Sequence, residues 1–179
     1  MKNIVKVLET GSSEEKIKIL ETLDKTDDPE ILQKIISKLD DDDIKVRGEA
    51  FSSLVLNKNK ISNFLTQNLN STSKNIRGFA ALALANRNEI DAISKIVKLA
   101  KDERSMVRSC AIGALGHLKA KEAKDVFLDS VLDTNVEVRK SAIQAIIDLK
   151  FSISEERIKE ISNDADPELL KMLSKLKKK

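Results

Sequence analysis

Apolar residues recur at a helical spacing in four segments of the chain that resemble one another. The segments are IKVRGEAFSSLVLNK (44–58), KNIRGFAALALANRN (74–88), SMVRSCAIGALGHLK (105–119) and NVEVRKSAIQAIIDLK (135–150). Counted from the arginine of each, an apolar residue stands at −1, alanine at +3, and leucine or isoleucine at +7. These offsets share one side of an α-helix, and alanine lets a neighbouring helix approach closely. The pattern predicts four amphipathic helices, which we call the B helices.

A second helical pattern precedes each B helix. Its apolar positions follow the spacing i, i+4, i+5, i+8 of a buried helical stripe. They are Ile31, Ile35, Ile36 and Leu39; Ile61, Leu65 and Leu69; Ala92, Ile96, Val97 and Ala100; Ala123, Phe127, Leu128 and Val131. Asp28 before Pro29 is typical of a helix N-cap followed by proline at the first helical position. We call these helices the A helices.

The paired pattern has a fixed period. The four arginines, Arg47, Arg77, Arg108 and Arg139, are separated by 30, 31 and 31 residues, and Lys16 lies 31 residues before the first. Such a period is the signature of stacked repeats. We therefore predict one domain, 1–179, made of about six helix pairs in one continuous superhelix. The predicted repeats are about 1–25, 28–57, 58–87, 88–119, 120–150 and 151–179.

The terminal repeats depart from the pattern and are predicted to be caps. In the first repeat Ile19 takes the place of the alanine, and Leu23 is placed on the B helix. In the last, Leu170 replaces the arginine and Leu173 the alanine. An end repeat has one neighbour and needs a polar outer side, which explains the departure.

The period and the "D…VR…A…AL" phrase resemble HEAT repeats, particularly the short HEAT-like repeats of the phycobilisome-lyase type. The resemblance covers nearly the whole chain. It implies an all-α fold, a right-handed α-α superhelix (alpha solenoid) with an armadillo-like arrangement. It implies little about activity, because the family is a scaffold with many uses.

The resemblance also implies a structural ladder of charges. In such repeats an aspartate in the turn between helices is expected to hydrogen-bond the arginine of the next helix. A spacing of six residues joins Asp41 to Arg47, Asp102 to Arg108 and Asp133 to Arg139. Ser71 stands in the acid's place before Arg77, so we expect that contact to be weaker.

Charge and composition narrow the function classes. The net charge is +3, but the last twelve residues hold five lysines and one glutamate, which leaves the remainder at −1. A nucleic-acid binder is expected to carry a basic face on its folded part. The chain lacks a secretory signal pattern and an apolar run long enough for a membrane span, so we expect a cytoplasmic protein without membrane contact. The single cysteine, Cys110, agrees with a reducing compartment.

Candidate chemistry is sparse, and we expect no enzyme, no cofactor and no metal site. His117 is the only histidine, which argues against a metal centre and against most acid/base arrangements. Cys110 lacks a predictable histidine neighbour, so we expect no nucleophilic role. Gly48 and Gly78 lie within predicted helices without a phosphate-binding motif. Close packing or a ligand-facing groove can explain a glycine there, and we expect close packing.

A partner is expected on the B helices. In HEAT-like stacks these helices usually line the concave side, and the face opposite the buried stripe carries offsets −2, +1, +5 and +9. We predict that the partner-binding residues are Lys45, Ser52, Asn75, Gly78, Phe79, Leu82, Met106, Ser109, Gly113, His117, Lys140 and Gln144. Glu137 and Asp148 share this face. Phe79, Leu82 and Met106 are the candidate apolar anchors, although Phe79 can instead pack between adjacent B helices.

Two functions remain open from the sequence, which does not decide whether the chain is also one subunit of a larger stack whose ends meet other copies. The first is a non-enzymatic protein–protein interaction scaffold that binds a protein or peptide on the concave face. The second is a nucleic-acid-binding protein, similar to the HEAT-like DNA glycosylases, that uses Lys45, Lys74, Arg87, Lys140 and the C-terminal lysines. The absence of Trp and Tyr leaves little for stacking on bases. The partner's identity does not follow from the sequence.

Overall fold

The structure, a computed structural model, describes residues 2–176 and is all-helical over that range. Each predicted helix pair is present. The A helices are α1 Lys2–Thr10, α3 Pro29–Ser37, α5 Ser62–Gln67, α7 Ile93–Leu99, α9 Lys124–Ser130 and α11 Glu155–Ser162. The B helices are α2 Ser13–Leu20, α4 Ile44–Leu56, α6 Lys74–Asn86, α8 Ser105–His117, α10 Val136–Leu149 and α12 Pro167–Leu176. The prediction of six helix pairs is confirmed for the described residues.

The chain divides into two compact units, Met1–Ala92 and Ile93–Lys179. The first contains α1 to α6 and the second α7 to α12. The boundary falls within the predicted fourth repeat, between a 3₁₀ turn at Ile90–Ala92 and α7. The single domain over 1–179 remains a prediction.

Most of the predicted buried stripe forms the core of the two units, whereas Val97, Ala100 and Leu128 of the predicted A-helix stripes are half-buried. The alanines at +3 of the four arginine-bearing helices are fully buried, as are the leucines and isoleucine at +7; these are Ala50, Ala80, Ala111, Ala142, Leu54, Leu84, Leu115 and Ile146. Alanine at the contact point lets the next helix approach closely, and the leucines one turn later fill the space between them. In the A helices, Ile35, Leu65, Ile96 and Phe127 have no exposed surface.

Local signals set the helix ends. The Asp28 carboxylate accepts hydrogen bonds from the backbone N–H groups of Glu30 and Ile31, at 2.9 and 3.1 Å, with Pro29 at the first helical position. Side-chain caps also begin α4, α6 and α10, at Asp43, Ser73 and Asn135. Each cap satisfies amide groups that the first turn of a helix leaves without partners.

The first repeat differs from its prediction. Helix α2 ends at Leu20, so Leu23 lies beyond it, although it is buried. Leu20 is fully buried, whereas Ile19 is half-buried. The short helix therefore turns its core face one position later than the alanine register predicts. Within residues 2–176, no helix has the length and apolar character needed to cross a bilayer.

Candidate functional site

The four B-helix arginines each hold the turn that precedes their own helix. Their Nη1 atoms donate to the backbone carbonyl six residues earlier. The distances are 2.7 Å for Arg47 to Asp41, 2.8 Å for Arg77 to Ser71, 2.9 Å for Arg108 to Asp102 and 2.9 Å for Arg139 to Asp133. The acceptor is the main chain and not the side chain. The contact at Ser71 is as short as the others, because a serine carbonyl accepts as well as an aspartate carbonyl, so the expected weakening does not apply to this bond.

The aspartate carboxylates instead pair with a cation 25 residues earlier, on the preceding B helix. Lys16 donates to Asp41 at 2.9 Å, and Arg108 makes two bonds to Asp133, at 2.7 and 2.8 Å. Arg139 lies 3.5 Å from Asp164. These pairs connect one repeat to the next, so the ladder of charges is real but has a different register from the spacing of six. The two parallel bonds from Arg108 are the strongest geometry available to a guanidinium and a carboxylate.

Burial and hydrogen bonding act in opposite directions on these carboxylates. Burial alone raises the pKa of Asp133, but the bonds from Arg108 and from the backbone N–H of Asn135 outweigh it and hold the pKa below its ordinary value. Burial likewise opposes the bonds from Lys16 and Asp43 at Asp41, and the net result is again a lowered pKa. Both groups are therefore ionised at neutral pH and hold their turns in place.

The second unit contains a groove of about 660 Å³ between three successive B helices. We call it the B-helix groove. It is lined by Gly113, Gly116 and His117 of α8, by Glu137, Lys140, Ser141, Gln144, Ala145 and Asp148 of α10, and by Glu168, Lys171, Met172 and Lys175 of α12. Four of the predicted partner-binding residues, Gly113, His117, Lys140 and Gln144, thus come together in one site.

The floor of the groove is made of small side chains. A Cβ added at Gly113 would meet nothing within 4 Å, and this residue is exposed. A Cβ added at Gly116 would lie 3.1 Å from the Cβ of Ala145, so this glycine allows α8 to pack along α10. Nearby, the hydroxyls of Ser109 and Ser141 join the two helices at 2.9 Å. Small residues in both helices keep the floor flat and open to solvent.

Carboxylates surround the one lysine on the α10 wall. The Lys140 ammonium lies 3.3 Å from Glu137, 3.0 Å from Asp166 and 2.5 Å from Glu168. Hydrogen bonds to Glu168 and Asp166 are the main reason that the pKa of Lys140 is raised above its ordinary value. On the same wall, Gln144 donates to Asp148 at 2.8 Å. Lys140 is therefore neutralised within the protein, which weakens its assignment as a contact for phosphate.

Two further residues of interest in the second unit are Met106, a predicted anchor, and its neighbour Cys110. Met106 is half-buried, and its sulfur accepts from the Cys110 thiol at 3.6 Å. Burial raises the pKa of Cys110 to about 11, so the thiol stays protonated at neutral pH and is a poor nucleophile. His117 is exposed at the end of α8. Among the described residues, no cluster of three His, Cys, Asp or Glu side chains could hold a metal ion.

The remaining predicted partner-binding residues lie in the first unit. Lys45 is exposed, while Ser52 and Leu82 are half-buried and Gly78 is buried. Asn75 donates to Asp40 at 2.7 Å. Their role in binding stays a prediction.

The Phe79 ring packs against Phe51 of the adjacent B helix, with centroids 6.1 Å apart. This contact favours the packing role of Phe79 over an anchor for a partner. At Gly48 the packing expectation is wrong, because an added Cβ would have nothing within 4 Å.

Arg87, a candidate for phosphate binding, is occupied inside the first unit. Its guanidinium donates to the carbonyls of Leu54 at 3.1 Å and Asn59 at 2.9 Å, and also to the carbonyl of Asn57. Its Nε lies 3.4 Å from Glu89. These bonds satisfy the end of α4 and the loop after it. Lys45 and Lys74 are exposed, and Lys177–Lys179 of the predicted basic tail lie outside the described residues.

Sequence reasoning missed the α12 wall of the groove. Glu168, Lys171 and Lys175 stand at offsets −2, +1 and +5 from Leu170, the residue in the arginine position. These offsets define the predicted face of the other B helices. Extending the same register into the last repeat would have found them.

Comparisons with known proteins agree with this architecture. Residues 62–147 match a family model described as HEAT repeats. A 74-residue segment, 41% of this chain, is 36% identical to epoxyqueuosine reductase of Staphylococcus aureus. The segment spans only 20% of that enzyme's length, so the match concerns one part of a larger protein.

Solved structures show the same fold at low sequence identity. The complex of CpcE and CpcF of phycocyanin lyase from Nostoc sp. PCC7120 contains a chain with a TM-score of 0.70 and 19% identity, covering 84% of this chain and 99% of that one. A designed armadillo repeat protein in complex with the peptide (KR)4 has a TM-score of 0.54 and 19% identity, covering 97% and 96%. With the family match, these structures lead to one conclusion: residues 62–147 are HEAT repeats, and the chain has the all-helical repeat fold of HEAT-like and armadillo proteins.

Proposed function

We propose that the chain is a non-enzymatic scaffold that binds a protein or peptide through the exposed face of its B helices. The observation that carries the proposal is the B-helix groove, where all four predicted face positions of α10 and two of α8 line one open channel. Its volume of about 660 Å³ lies in the range typical of ligand pockets in proteins. A small, polar floor leaves the backbone of an extended segment room to approach.

Two neighbours in structure support this class of function. One is a designed armadillo repeat protein that binds a peptide, and the other belongs to a complex of two proteins. Their identity to this chain is below 20%, so they support the kind of partner and not its identity. The enzymatic activity of epoxyqueuosine reductase is not transferred, since the match covers a fifth of that enzyme.

The side chains of the groove favour binding over catalysis. Its lysine is paired with carboxylates, and its histidine is exposed at a helix end. The nearby thiol of Cys110 has a raised pKa. A nucleophile activated by a neighbouring base is the usual requirement of hydrolases and transferases, and the described residues of the groove do not supply that pair.

The test places a large cation in the open floor. Gly113→Arg is expected to abolish capture of partners from a native extract, measured by quantitative mass spectrometry of immobilised protein. Ser94→Arg, on the exposed side of α7 in the same unit, is the matched control and is expected to capture the same partners as the parent chain. Circular dichroism verifies that both variants stay folded. Unchanged capture by Gly113→Arg would remove the groove as the binding face.

A further inference from the structure

The charges of the B-helix groove are unevenly distributed along its length. At one end the first turns of α10 and α12 meet, and Glu137, Asp166 and Glu168 surround Lys140. Glu137 and Glu168 line the groove with Lys140, which leaves the lining at this end with one surplus negative charge, and Asp166, 3.0 Å from Lys140, adds a second beside it. Toward the ends of the same helices the groove is lined by Lys171, Lys175 and Asp148, a surplus of one positive charge.

The surplus negative charge lies on the solvent side. The side chains of Glu137 and Glu168 are 66% and 69% exposed, whereas that of Lys140 is 14% exposed. The lysine is therefore covered by its partners, and a group that enters the groove meets carboxylate oxygens first. Charge pairs at the rim of an interface direct which partner approaches and in which orientation.

We propose that the B-helix groove binds an extended peptide segment that places an arginine or lysine side chain between Glu137 and Glu168. The inference rests on the proposed function and adds the chemistry of the partner. The open floor at Gly113 provides room for the peptide backbone, since nothing lies within 4 Å of an added Cβ. Lys171 and Lys175 lie four residues apart on α12. They favour an acidic side chain or a C-terminal carboxylate of the peptide at the other end of the groove.

Three fluorescein-labelled octapeptides of glycine and serine test the charge preference by fluorescence anisotropy at low ionic strength. One contains two arginines, one contains two glutamates and one contains neither. We expect the arginine peptide to bind at least about fivefold more tightly than the glutamate peptide. The whole chain carries a net charge of +3, so a general attraction would favour the glutamate peptide instead.

Charge-neutral variants locate the contact. The double variant Glu137→Gln, Glu168→Gln is expected to weaken binding of the arginine peptide about fivefold. The double variant Glu155→Gln, Glu156→Gln removes two exposed glutamates from α11 and changes the net charge equally, and it is expected to leave the affinity within about twofold. Asp166 stays unchanged in both because its carboxylate accepts from the backbone of Leu169 at 2.7 Å and caps α12.

The outcomes separate the two proposals. Equal or tighter binding of the glutamate peptide, or equal effects of the two double variants, overturns the basic partner. If Gly113→Arg still abolishes binding in that case, the groove remains the binding face. Failure of all three peptides to bind overturns the basic partner, and capture from the extract with Gly113→Arg then decides the groove. Binding of the arginine peptide that Gly113→Arg does not change overturns the groove as well.

Discussion

Gly48 and Gly113 lie on the exposed faces of α4 and α8, within the helices, where glycine is the least favourable residue after proline. Neither has a positive φ angle, and an added Cβ would meet nothing within 4 Å at either position. Gly116 differs because Ala145 of α10 lies 3.1 Å from its added Cβ. Comparing substitutions at these three positions therefore distinguishes the effect of helix propensity on stability from the effect of helix packing.

We expect Gly48→Ala and Gly113→Ala each to raise the free energy of unfolding by about 0.5–1 kcal/mol, because alanine loses less backbone entropy on folding. Gly116→Ala is expected to lose most of that gain, since α8 and α10 must separate slightly. Urea denaturation of the three variants provides the comparison. Equal stabilisation by all three would contradict the close approach of α8 to α10.

The backbone conformation at the C-terminal ends of three B helices could not be predicted from residue types. Asn88, Lys119 and Lys150 all adopt positive φ angles, of 57°, 54° and 60°, and the following N–H groups bond back across the last helical turn. Glycine is the usual residue for this conformation, and lysine is an uncommon one. The hydrophobic period located these helix ends approximately, but no residue type in the sequence marked the left-handed turn at Lys119 or Lys150.

At the scale of the element, the pairing between successive B helices is incomplete in the third repeat. Asp41 and Asp133 each accept from a cation on the preceding B helix, whereas Ser71 occupies the same turn position and carries no carboxylate. The Ser71 hydroxyl does accept from the backbone N–H of Ser73 at 3.2 Å, as the aspartates do from their own turns. The turn hydrogen bond is therefore kept at Ser71, and the carboxylate that would pair with the preceding B helix is lacking.

We expect Ser71→Asp to raise the free energy of unfolding by about 0.5–1.5 kcal/mol, because the new carboxylate can accept from Arg47 on the preceding helix. Ser71→Asn is the matched control, since it keeps an acceptor for the turn without adding charge. Denaturation in urea at low and high salt measures both. A gain for Ser71→Asn equal to that for Ser71→Asp would show that the turn alone, and not the charge pair, accounts for the effect.

The pair of Arg108 and Asp133 predicts a dependence of stability on pH. The pKa of Asp133 is held below the ordinary value of 3.8, so its contribution is complete above that value and is lost as the pH falls through the lower, folded-state pKa. Asp133→Asn is expected to lower the free energy of unfolding by about 1–3 kcal/mol at pH 7. Near pH 3 the difference from the parent chain is expected to shrink.

Asp125→Asn is the control for this prediction, because Asp125 lies exposed on the neighbouring α9. Thermal denaturation of the two variants between pH 3 and pH 7 measures the dependence. A loss at Asp133→Asn that is equally large at both ends of the range would show that shape and packing, and not ionisation, determine the contribution.

The sequence predicted these elements better than it predicted their contacts. The offsets of −1, +3 and +7 placed Ala50, Ala80, Ala111 and Ala142 in the core correctly, because burial follows directly from helical periodicity. The partner of each aspartate did not follow. A spacing of six residues within one repeat and a spacing of 25 residues between repeats are both compatible with the sequence. Only coordinates show that Arg139 binds the carbonyl of Asp133 while Arg108 binds its carboxylate.

For the molecule as a whole, the distribution of charge determines which cations are available to a nucleic-acid partner. Two of the cations assigned to phosphate are already bound, since Lys140 lies among three carboxylates and Arg87 among backbone carbonyls. The remaining candidates are Lys45, Lys74 and the lysines near the C-terminus. The α12 wall of the groove was not predicted, because it belongs to a repeat in which Leu170 replaces the arginine that marks the register.

We expect the chain to bind duplex DNA weakly and with a shallow dependence on salt. Each phosphate neutralised contributes about 0.9 to the slope of log affinity against log salt, so engagement of Lys45 and Lys74 alone corresponds to a slope of about −2. Anisotropy of a labelled 20-base-pair duplex between 50 and 200 mM salt measures it. Lys45→Gln and Lys74→Gln are each expected to reduce the slope by about one. A slope of −5 or steeper would require cations beyond these two, and it would favour a nucleic-acid partner over a peptide in the B-helix groove.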